Sequence, residues 1–341
     1  MHLTVAIATR NSAHIVGPTL ESIQSQVLPS GVSVQTMVVD GESEDATLRI
    51  CRDFGAISVA NPNRDPMSAK LRALDLASGT HIMFLDHDER LLSPTGIEQC
   101  FRLFESHSQL RIVWQTGYHV STIGEAPNLF ASEFGDAYSK FIYGNSAMED
   151  QRISNMIERF TDHQKTDLGV LFLPRDLQKP ILLEVAAAGT VVDLKFIRGL
   201  CNRYGPRALL SPLRFMSDEL IAVALNSPVG HDSAPTWSAV RTKTRWRVTN
   251  AVNPHSPLHE VSGRHGHTIS DKSLLLRNIL FVVYSLSIVP VIIDYLILSI
   301  RRRRSLFGAV HLPIFTVLEI AWQIARRRLL DRIYTKDYAG N

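Results

Sequence analysis

The first hundred residues alternate short apolar runs with amphipathic stretches, and this alternation narrowly limits the possible folds. The apolar runs are Leu3 to Ala8, Val34 to Val39, Ile57 to Ala60 and His81 to Leu85. Each run is too short for a helix and indicates a buried strand, whereas the stretches between them carry apolar residues at helical spacing. The pattern predicts an α/β fold with a mostly parallel, doubly wound sheet flanked by helices.

The middle of the chain gives a less regular pattern. Leu110 to Tyr118 predicts another strand, and Phe130 to Ile157 shows no clean period. Leu194 to Tyr204 predicts a helix that Gly205-Pro206 ends. We expect a further helix to begin within Phe215 to Val223.

Polar loops follow three of the predicted strands, at the sheet edge where ligands of such folds bind. The loops are Thr9 to Ser12, Asp40 to Asp45 and Asp86 to Glu89, and the last two are acidic. No glycine-rich phosphate cradle follows the first strand, so a bound diphosphate would need a cation to neutralise it. Asp86 and Asp88 can reach one Mg²⁺ or Mn²⁺ from a tight turn, although most such pairs are solvated turn residues.

Three stretches resemble family-2 glycosyltransferases of the GT-A fold, a Rossmann-like α/β architecture. They are Val5 to Gln26, Val38 to Thr47 and Ala77 to Asp88. The resemblance covers about the first hundred residues well and the next hundred and fifty loosely. It implies an enzyme that transfers a sugar from a nucleotide-sugar donor with the help of Mg²⁺ or Mn²⁺.

The resemblance also implies roles for individual residues in the first half of the chain. Asp40 contacts the base, Asp88 binds the metal, and Asp86 lies near the ribose, the diphosphate and the metal. Lys70 is a possible phosphate partner, although its residue type and helical position favour a solvated lysine. The residues implied in binding the nucleotide through the first loop are Thr9, Arg10 and Asn11.

In the second half, the resemblance implies an acid at the start of a helix as the catalytic base. Asp218 is the candidate for this base, and the adjacent Glu219 is the other acid that could fill the role. The alternative for Asp218 is a simple helix N-cap. His231 is implied near the metal or the diphosphate. Thr242 to Trp246 resembles the Gln-x-x-Arg-Trp motif of processive synthases without its Gln, which implies that Arg245 clamps the diphosphate and Trp246 stacks on a sugar.

The charge distribution favours a membrane over a nucleic acid as the partner. The formal net charge is only +3, but Arg301 to Arg304 and Arg326 to Arg328 lie beside the most apolar segments. No secretory signal precedes Leu3, and the three cysteines have no metal-binding spacing, so we expect packed thiols in a reducing compartment.

Leu274 to Ile300 is the most apolar stretch and is interrupted by Pro290 and Asp294. As a straight helix it would be about 40 Å long and would span a membrane core of about 30 Å. Nucleotide sugars are cytosolic, so the catalytic domain before this stretch must lie on the cytosolic side. Arg301 to Arg304 after it should lie on the same side, because basic residues stay on the cytoplasmic side of a membrane. We expect a helix bent at Pro290 that dips into one leaflet or lies along it. Two ordinary crossings, or a buried soluble helical pair, are the alternatives.

These observations define a division of the chain and a function. We expect a catalytic domain over 1–252, with a nucleotide-binding half at about 1–120 and an acceptor half at about 121–252. A linker over 253–272 and membrane-associated helices over 273–341 would follow, with the membrane surface contacted through 274–328.

The predicted function is inverting transfer of a sugar, expected to be UDP-linked, to a lipid-linked acceptor at the cytoplasmic face of the membrane. A nucleotidyltransferase or a non-catalytic scaffold is the alternative, and the oligomeric state is left open.

Overall fold

The computed structural model describes residues 1–120, 126–183, 185–232, 234–252 and 271–338, with side chains for all of these except 271–274 and 329–338. The chain forms two compact units. Unit 1 comprises Met1–Ile123 and Asn145–Ser233, and unit 2 comprises Gly124–Gly144 and Ala234–Asn341.

Within the described residues, every strand belongs to unit 1. They are β1 (His2–Thr9), β2 (Ser33–Asp40), β3 (Ile57–Ala60), β4 (His81–Asp86), β5 (Glu89–Leu91), β6 (Leu110–Trp114), β7 (Gly117–His119), β8 (Gln164–Lys165), β9 (Gly169–Phe172), β10 (Thr190–Asp193), β11 (Leu220–Ala224) and β12 (Pro228–His231).

Helices flank the sheet in unit 1 and make up unit 2. In unit 1 they are α1 (Val16–Gln24), α2 (Thr47–Asp53), α3 (Pro66–Leu76), α4 (Gly96–Ser106), α7 (Arg152–Ile157), α8 (Leu194–Tyr204) and α9 (Arg207–Leu210). In unit 2 they are α5 (Ala126–Phe134), α6 (Ala137–Tyr143), α10 (Trp237–Val252), α11 (Asp271–Leu286), α12 (Ile288–Arg302) and α13 (Leu312–Tyr338).

Nine strands form one sheet in the order β3-β2-β1-β4-β10-β6-β11-β9-β8. β1 pairs in parallel with β2 and β4, and β6 pairs in parallel with β11, while β10 runs antiparallel between β4 and β6. The predicted mostly parallel sheet is therefore confirmed. Its central strands are buried on both faces, as their apolar sequences require.

The strand register aligns the carboxyl ends of the first strands. Thr9 is paired with Asp40, and Ala8 is paired with Asp86. The three polar loops therefore emerge from the same edge of the sheet. A second, three-stranded sheet of order β5-β12-β7 follows at this edge, because β5 continues from β4 and β7 from β6.

The expected helix within Phe215 to Val223 is wrong. The chain forms a short 3-10 helix, Pro212–Phe215, and then β11, which inserts between β6 and β9. Ile221, Ala222 and Val223 are fully buried in the sheet. Continuous apolar residues fit a strand buried on both faces as well as a helix, so the local pattern did not separate the two.

Phe130 to Ile157, which has no clean sequence period, contains α5, α6 and α7. In α5 every residue from Pro127 to Phe134 is buried, so no polar face marks the helix. Asp136 caps α6 by accepting a hydrogen bond from the Ser139 backbone N–H at 2.7 Å, and Gly144 ends that helix in the left-handed conformation.

Unit 2 differs from the predicted division at residue 252. Helices α5, α6 and α10 group with the C-terminal helices, because aromatic residues of α5 and α6 pack there. Phe130 contacts Tyr295 with ring centroids 6.0 Å apart, and Tyr138 contacts Phe281 at 5.0 Å. Of the predicted linker over 253–272, residues 253–270 lie outside the described residues, and the final two begin α11.

The apolar stretch that sequence predicted as one bent helix is two helices, α11 and α12, which meet at 92°. The break falls at Ser287, three residues before Pro290, so the proline lies in the first turn of α12, where its missing N–H costs no hydrogen bond. By length and composition, Phe307–Arg328 is one further segment that would suffice to cross a membrane.

Candidate active site at the carboxyl edge of the sheet

The turn after β4 places two carboxylates and two basic side chains close together. Lys70 Nζ lies 2.7 Å from Asp86 Oδ1, and His231 Nε2 lies 3.8 Å from Asp88 Oδ2. Lys70 is held on α3, which begins at Pro66 behind the N-cap Asp65. The structure thus brings together Lys70, Asp86, Asp88 and His231, all four of which were predicted from sequence.

Glu89 lies beneath this turn and is fully buried. Its Oε2 accepts hydrogen bonds from the backbone N–H groups of Asp86 and Ala188, both at 2.8 Å, and its Oε1 accepts one from the Tyr118 hydroxyl at 2.5 Å. Burial, with the nearby Asp86 charge, raises the pKa of Glu89 to about 8. Glu89 therefore connects the turn of Asp86 and Asp88 to two other segments of unit 1.

Tyr118 extends this connection to the histidine beside Asp88. Its ring stacks on His231, with centroids 4.4 Å apart and an interplanar angle of 21°. Strand β12 lies between β5 and β7, and its pairing with β5 sets His231 opposite Glu89. Sequence reasoning missed both Glu89 and Tyr118. The third acid in Asp86-His87-Asp88-Glu89 was the available signal for Glu89.

Asp40 is 3% exposed and its carboxylate bonds entirely within the neighbouring loops. It accepts hydrogen bonds from the Thr9 hydroxyl at 2.9 Å, the Ser43 hydroxyl at 2.6 Å and the Ser43 backbone N–H at 2.8 Å. All of these contacts are structural, so burial of Asp40 does not by itself indicate a contact with a ligand. Asp40 pins the loop after β1 to the loop after β2.

The same two loops hold a residue in an unfavourable backbone conformation. Asn11 has a φ of 48° and exchanges hydrogen bonds with Ser43 and Glu44. Glu42 and Arg64, which form an ion pair, also have positive φ values, of 58° and 57°. Non-glycine residues in this region persist where surrounding contacts require them, and they concentrate at functional sites.

Arg10 is exposed at the end of β1, beside Gly41. A Cβ at Gly41 would lie 3.3 Å from the Arg10 side chain, so these two loops approach closely. Asp45 supports the same edge: the Thr47 side chain donates a hydrogen bond to it and lowers the pKa of the Asp45 carboxyl. Asp45 therefore stabilises the start of α2, because it also accepts a hydrogen bond from the Thr47 backbone N–H at 3.0 Å.

Asp218 and Glu219 are not brought to this edge. They precede β11, whose first residue Leu220 pairs with Leu110 at the start of β6, so they lie at the amino edge of the sheet. Asp218 is largely exposed and pairs with Arg175 at 2.5 Å, while Glu219 accepts the Ser217 N–H at 3.0 Å. A strand as long as β11 separates the two edges by about 15 Å. This placement disagrees with the prediction that either acid lies beside the metal turn.

An acidic pair that the sequence analysis passed over does lie at the carboxyl edge. Glu149 and Asp150 precede α7, and Met148 forms a bridge with Tyr118 of β7. The Glu149 carboxylate pairs with His119 Nδ1. Consecutive acids just before a helix were the available signal, but the lack of a clean period hid the helix.

Arg245 and Trp246 belong to α10 in unit 2. Arg245 Nε lies 3.1 Å from Oε2 of the buried Glu319 on α13, and Trp246 is about half exposed. Arg245 thus has an ion-pair partner within its own unit.

The side chains at this turn provide some of the ligands that a divalent cation needs. No group of three or more metal-binding side chains converges within the described part of the chain. Asp88 and His231 do converge, and Mg²⁺ usually takes only one or two protein carboxylates and completes its shell with phosphate and water oxygens. The residues present therefore suit a metal that arrives with a diphosphate.

The fold and this edge define a GT-A sheet with its acidic Asp-x-Asp turn, and comparisons with known proteins agree. Residues 4–134 match the model of glycosyl transferase family 2. The predicted resemblance to family-2 glycosyltransferases is therefore confirmed over these residues, which include β1 to β4 and the polar loops that follow them. No curated protein matches the chain in sequence.

Solved structures with the same fold include a mannosyltransferase, PcManGT from Pyrobaculum calidifontis, in complex with GDP-Man and Mn²⁺. It is 13% identical, with a TM-score of 0.50, and the match covers 94% of this chain and 87% of that one. S. aureus TarS 1-349 in complex with UDP is 13% identical, with a TM-score of 0.47, covering 91% and 90%. The chain spans only 44% of the length of a longer S. aureus TarS structure. That match covers 80% of this chain, at 14% identity and a TM-score of 0.44.

Proposed function

We propose that this protein is a metal-dependent, inverting glycosyltransferase that moves a sugar from a UDP-linked donor to a lipid-linked acceptor, such as a polyprenyl-phosphate, in cell-envelope synthesis. The observation that carries the proposal is the convergence of Asp86, Asp88, Lys70 and His231 at the carboxyl edge of a family-2 sheet. The complex of PcManGT with GDP-Man and Mn²⁺ supports the class of donor and metal.

Within this proposal, Asp88 and His231 hold Mg²⁺ or Mn²⁺, which would neutralise the departing diphosphate. Lys70 keeps Asp86 oriented and adds a positive charge for the phosphates. Thr9, Arg10 and Asn11 line the donor side, and Asp40 fixes their loop.

The acceptor hydroxyl must lose a proton as it attacks the sugar, so a base is needed at the same edge. Asp218 was predicted for this role but lies at the opposite edge. Glu149 and Asp150 lie at the carboxyl edge and are the carboxylates whose position supports the role.

The lipid-linked acceptor is supported by unit 2. Helices α11 and α12 expose a row of large apolar side chains, and arginines follow directly after it. We propose that this part of the chain, within 274–328, attaches the enzyme to the cytoplasmic face of the membrane, where a lipid acceptor is within reach.

The test is sugar transfer by the full chain from UDP-sugars in the presence of Mn²⁺, with hydrolysis of the donor measured in parallel. Asp88→Asn should lower turnover at least about 100-fold, because a metal ligand is lost. Glu158→Gln, an exposed carboxylate on unit 1, is the control and should retain wild-type turnover. Equal turnover in Asp88→Asn and wild type would refute the assignment.

A further inference from the structure

Helices α11 and α12 of unit 2 present one face to the protein and an apolar face outward. Phe281, Val291 and Tyr295 are buried. The large apolar side chains that are at least 58% exposed on these two helices are Leu275, Leu276, Leu286, Ile288, Val289 and Ile300. So continuous an apolar surface marks an interaction site.

The distribution of charge along this surface indicates lipid as the occupant. Between Arg277 and Arg301 the only charged residue is Asp294. The most exposed apolar residues of the bend, Ile288 and Val289, lie between these two basic ends. An apolar centre with arginines at both ends matches acyl chains bordered by anionic headgroups.

Asp294 does not face the apolar surroundings alone. Its carboxylate pairs with Lys140 Nζ of α6 and accepts a hydrogen bond from the Tyr284 hydroxyl of α11. The Lys140 Nζ also lies 4.8 Å from the centroid of the Tyr295 ring. The charge is therefore neutralised on the protein side of α12.

The Tyr284 contact also constrains the angle between the helices. Tyr284 and Asp294 are ten residues apart, so in a straight helix they would be separated by about 15 Å along the axis. They touch only because the chain bends by 92° at Ser287. At the far end of α12, the buried Glu133 of α5 binds Arg302 and fixes the helix end to the same unit.

The bend limits how deeply the pair can reach. The arm from Arg277 to Ser287 is about 15 Å long and the arm from Ser287 to Arg301 about 20 Å. With the arms inclined equally at this angle, the bend lies about 10–14 Å below the arginines, whereas one leaflet of the hydrocarbon core is about 15 Å thick.

We propose that α11 and α12 enter a single leaflet as a bent wedge, with Ile288 and Val289 at its deepest point. Arg277 and Arg301 lie in the same headgroup layer, and the Tyr284–Asp294–Lys140 contact holds the bend. This inference rests on the membrane attachment proposed above and commits it to one of its modes.

The experiment measures depth and sidedness on the full chain bound to preformed vesicles of phosphatidylcholine and phosphatidylglycerol. Single cysteines at Leu276→Cys, Val289→Cys and Arg303→Cys carry a fluorophore, in a Cys201→Ala background because Cys51 and Cys100 are buried. Lipids brominated near the headgroup, at mid-chain or at the chain end serve as quenchers.

We expect the position 289 label to be quenched several-fold more by mid-chain bromines than by headgroup bromines, and the labels at 276 and 303 to show the reverse. The unlabelled thiols at 276 and 303 should both react with an impermeant reagent added outside. Protection of position 303 would mean a crossing, and equal quenching of all three labels would mean a flat helix pair. Either result overturns the wedge while leaving membrane attachment intact.

Absence of vesicle binding would overturn membrane attachment itself, and the wedge with it. The transfer assay with a soluble acceptor would still report on the glycosyltransferase assignment separately. Asp294→Leu tests the contact that holds the bend. Without this contact the two helices can straighten and cross the bilayer, so protection of position 303 from the impermeant reagent should rise several-fold. Ile293→Leu, at an exposed neighbouring position, is the control and should behave as wild type. Unchanged accessibility in Asp294→Leu, with folding verified by circular dichroism, would overturn the role given to Asp294.

Discussion

Glu89 meets a hydrogen-bond donor at each carboxyl oxygen although water cannot reach it. One acceptor thereby fixes the turn of Asp86 and Asp88, the strained backbone at Ala188, where φ is 59°, and the Tyr118 ring that stacks on His231. When a side chain that orients metal ligands is substituted, metal affinity or activity typically falls about 10–100-fold. Glu89 is thus a positioning residue for the proposed reaction.

Glu89→Gln and Glu89→Leu separate shape from hydrogen bonding at this position. The amide oxygen of Gln accepts the two backbone N–H groups and its NH₂ group donates to the Tyr118 oxygen, so turnover should stay within about threefold of wild type. Leu leaves the donors unsatisfied and should weaken Mn²⁺ binding with UDP by about 10–100-fold, measured by titration calorimetry. Wild-type Mn²⁺ affinity in Glu89→Leu would contradict the positioning role.

Asp218 shows why the position of a single side chain is difficult to predict from sequence. An acid followed by apolar residues fits the family's helix start, but only the β6–β11 pairing reveals that it lies at the amino edge. Asp40 and Asp86 lie at the carboxyl edge as expected, because the ends of parallel strands alone determine that edge. Pairing between distant segments, as for β11 and for Glu149, carries no local signal.

Substitution of the competing carboxylates decides which one serves as base. Asp150→Asn and Glu149→Gln should differ from Asp218→Asn: at least one of the first two should lower the rate of transfer at saturating donor by about 100-fold or more, while donor binding persists. Asp218→Asn should retain near wild-type rates, since it loses only an exposed pair with Arg175. The opposite ranking would restore the sequence-based assignment.

Among the elements, β1 to β4 and α8 were predicted to within a few residues, because apolar runs and glycine or proline punctuation mark them. Leu110 to Tyr118 was predicted as one strand, yet it divides into β6 and β7. Gly117 permits the division: its φ is 141°, and a Cβ there would lie 2.7 Å from the Ala147 carbonyl oxygen. That close approach involves residues thirty positions away, which a local pattern does not contain.

The contact between β4 and α4 gives a prediction of pH dependence. His81 is buried against Phe101 and Phe104, and burial lowers its pKa to about 4 from an ordinary 6.5. Between these values the unfolded chain binds a proton at this residue and the folded chain does not. The contribution of neutral His81 to the free energy of unfolding is therefore fully present above about pH 6.5, and it is lost as the pH falls towards 4.

Urea unfolding at about pH 7 and about pH 5 should show the loss. The wild-type free energy of unfolding should fall more than that of His81→Phe, by on the order of 2 kcal/mol over this interval. Far-ultraviolet circular dichroism at both pH values verifies that each protein starts folded. An equal fall in the two proteins would mean that the folded chain accepts the His81 proton without penalty.

At the scale of the whole molecule, the division into units determines which pieces of the chain can fold. The segment 124–144 interrupts unit 1 in sequence but packs within unit 2. Hydrophobic patterning detects helices but not their partners, so the sequence placed this segment and α10 with the catalytic domain. The apparent linker after 252 was the more visible boundary, because its composition is rich in proline, glycine and histidine.

A chain ending at Val252 would keep α5 and α6 without α11, α12 and α13. Phe130 would lose Tyr295, Tyr138 would lose Phe281, and the buried Glu133 carboxylate would lose Arg302. Removing these helices exposes the apolar surface of both rings to water, which costs roughly 1.5–3 kcal/mol for each large apolar side chain, comparable to much of a domain's net stability. We therefore expect this piece to aggregate or to unfold without a cooperative transition.

Unit 1 alone, made by replacing 124–144 with a glycine-serine linker and ending at Asp232, should behave differently. Asp40, Asp86, Asp88 and His231 all lie in it, together with the whole nine-stranded sheet. We expect a monomer by size-exclusion chromatography that binds UDP with Mn²⁺, measured by calorimetry. A soluble, cooperatively unfolding chain ending at Val252 beside an aggregating unit 1 would contradict this, because it would mean that α5 and α6 are stabilised by unit 1.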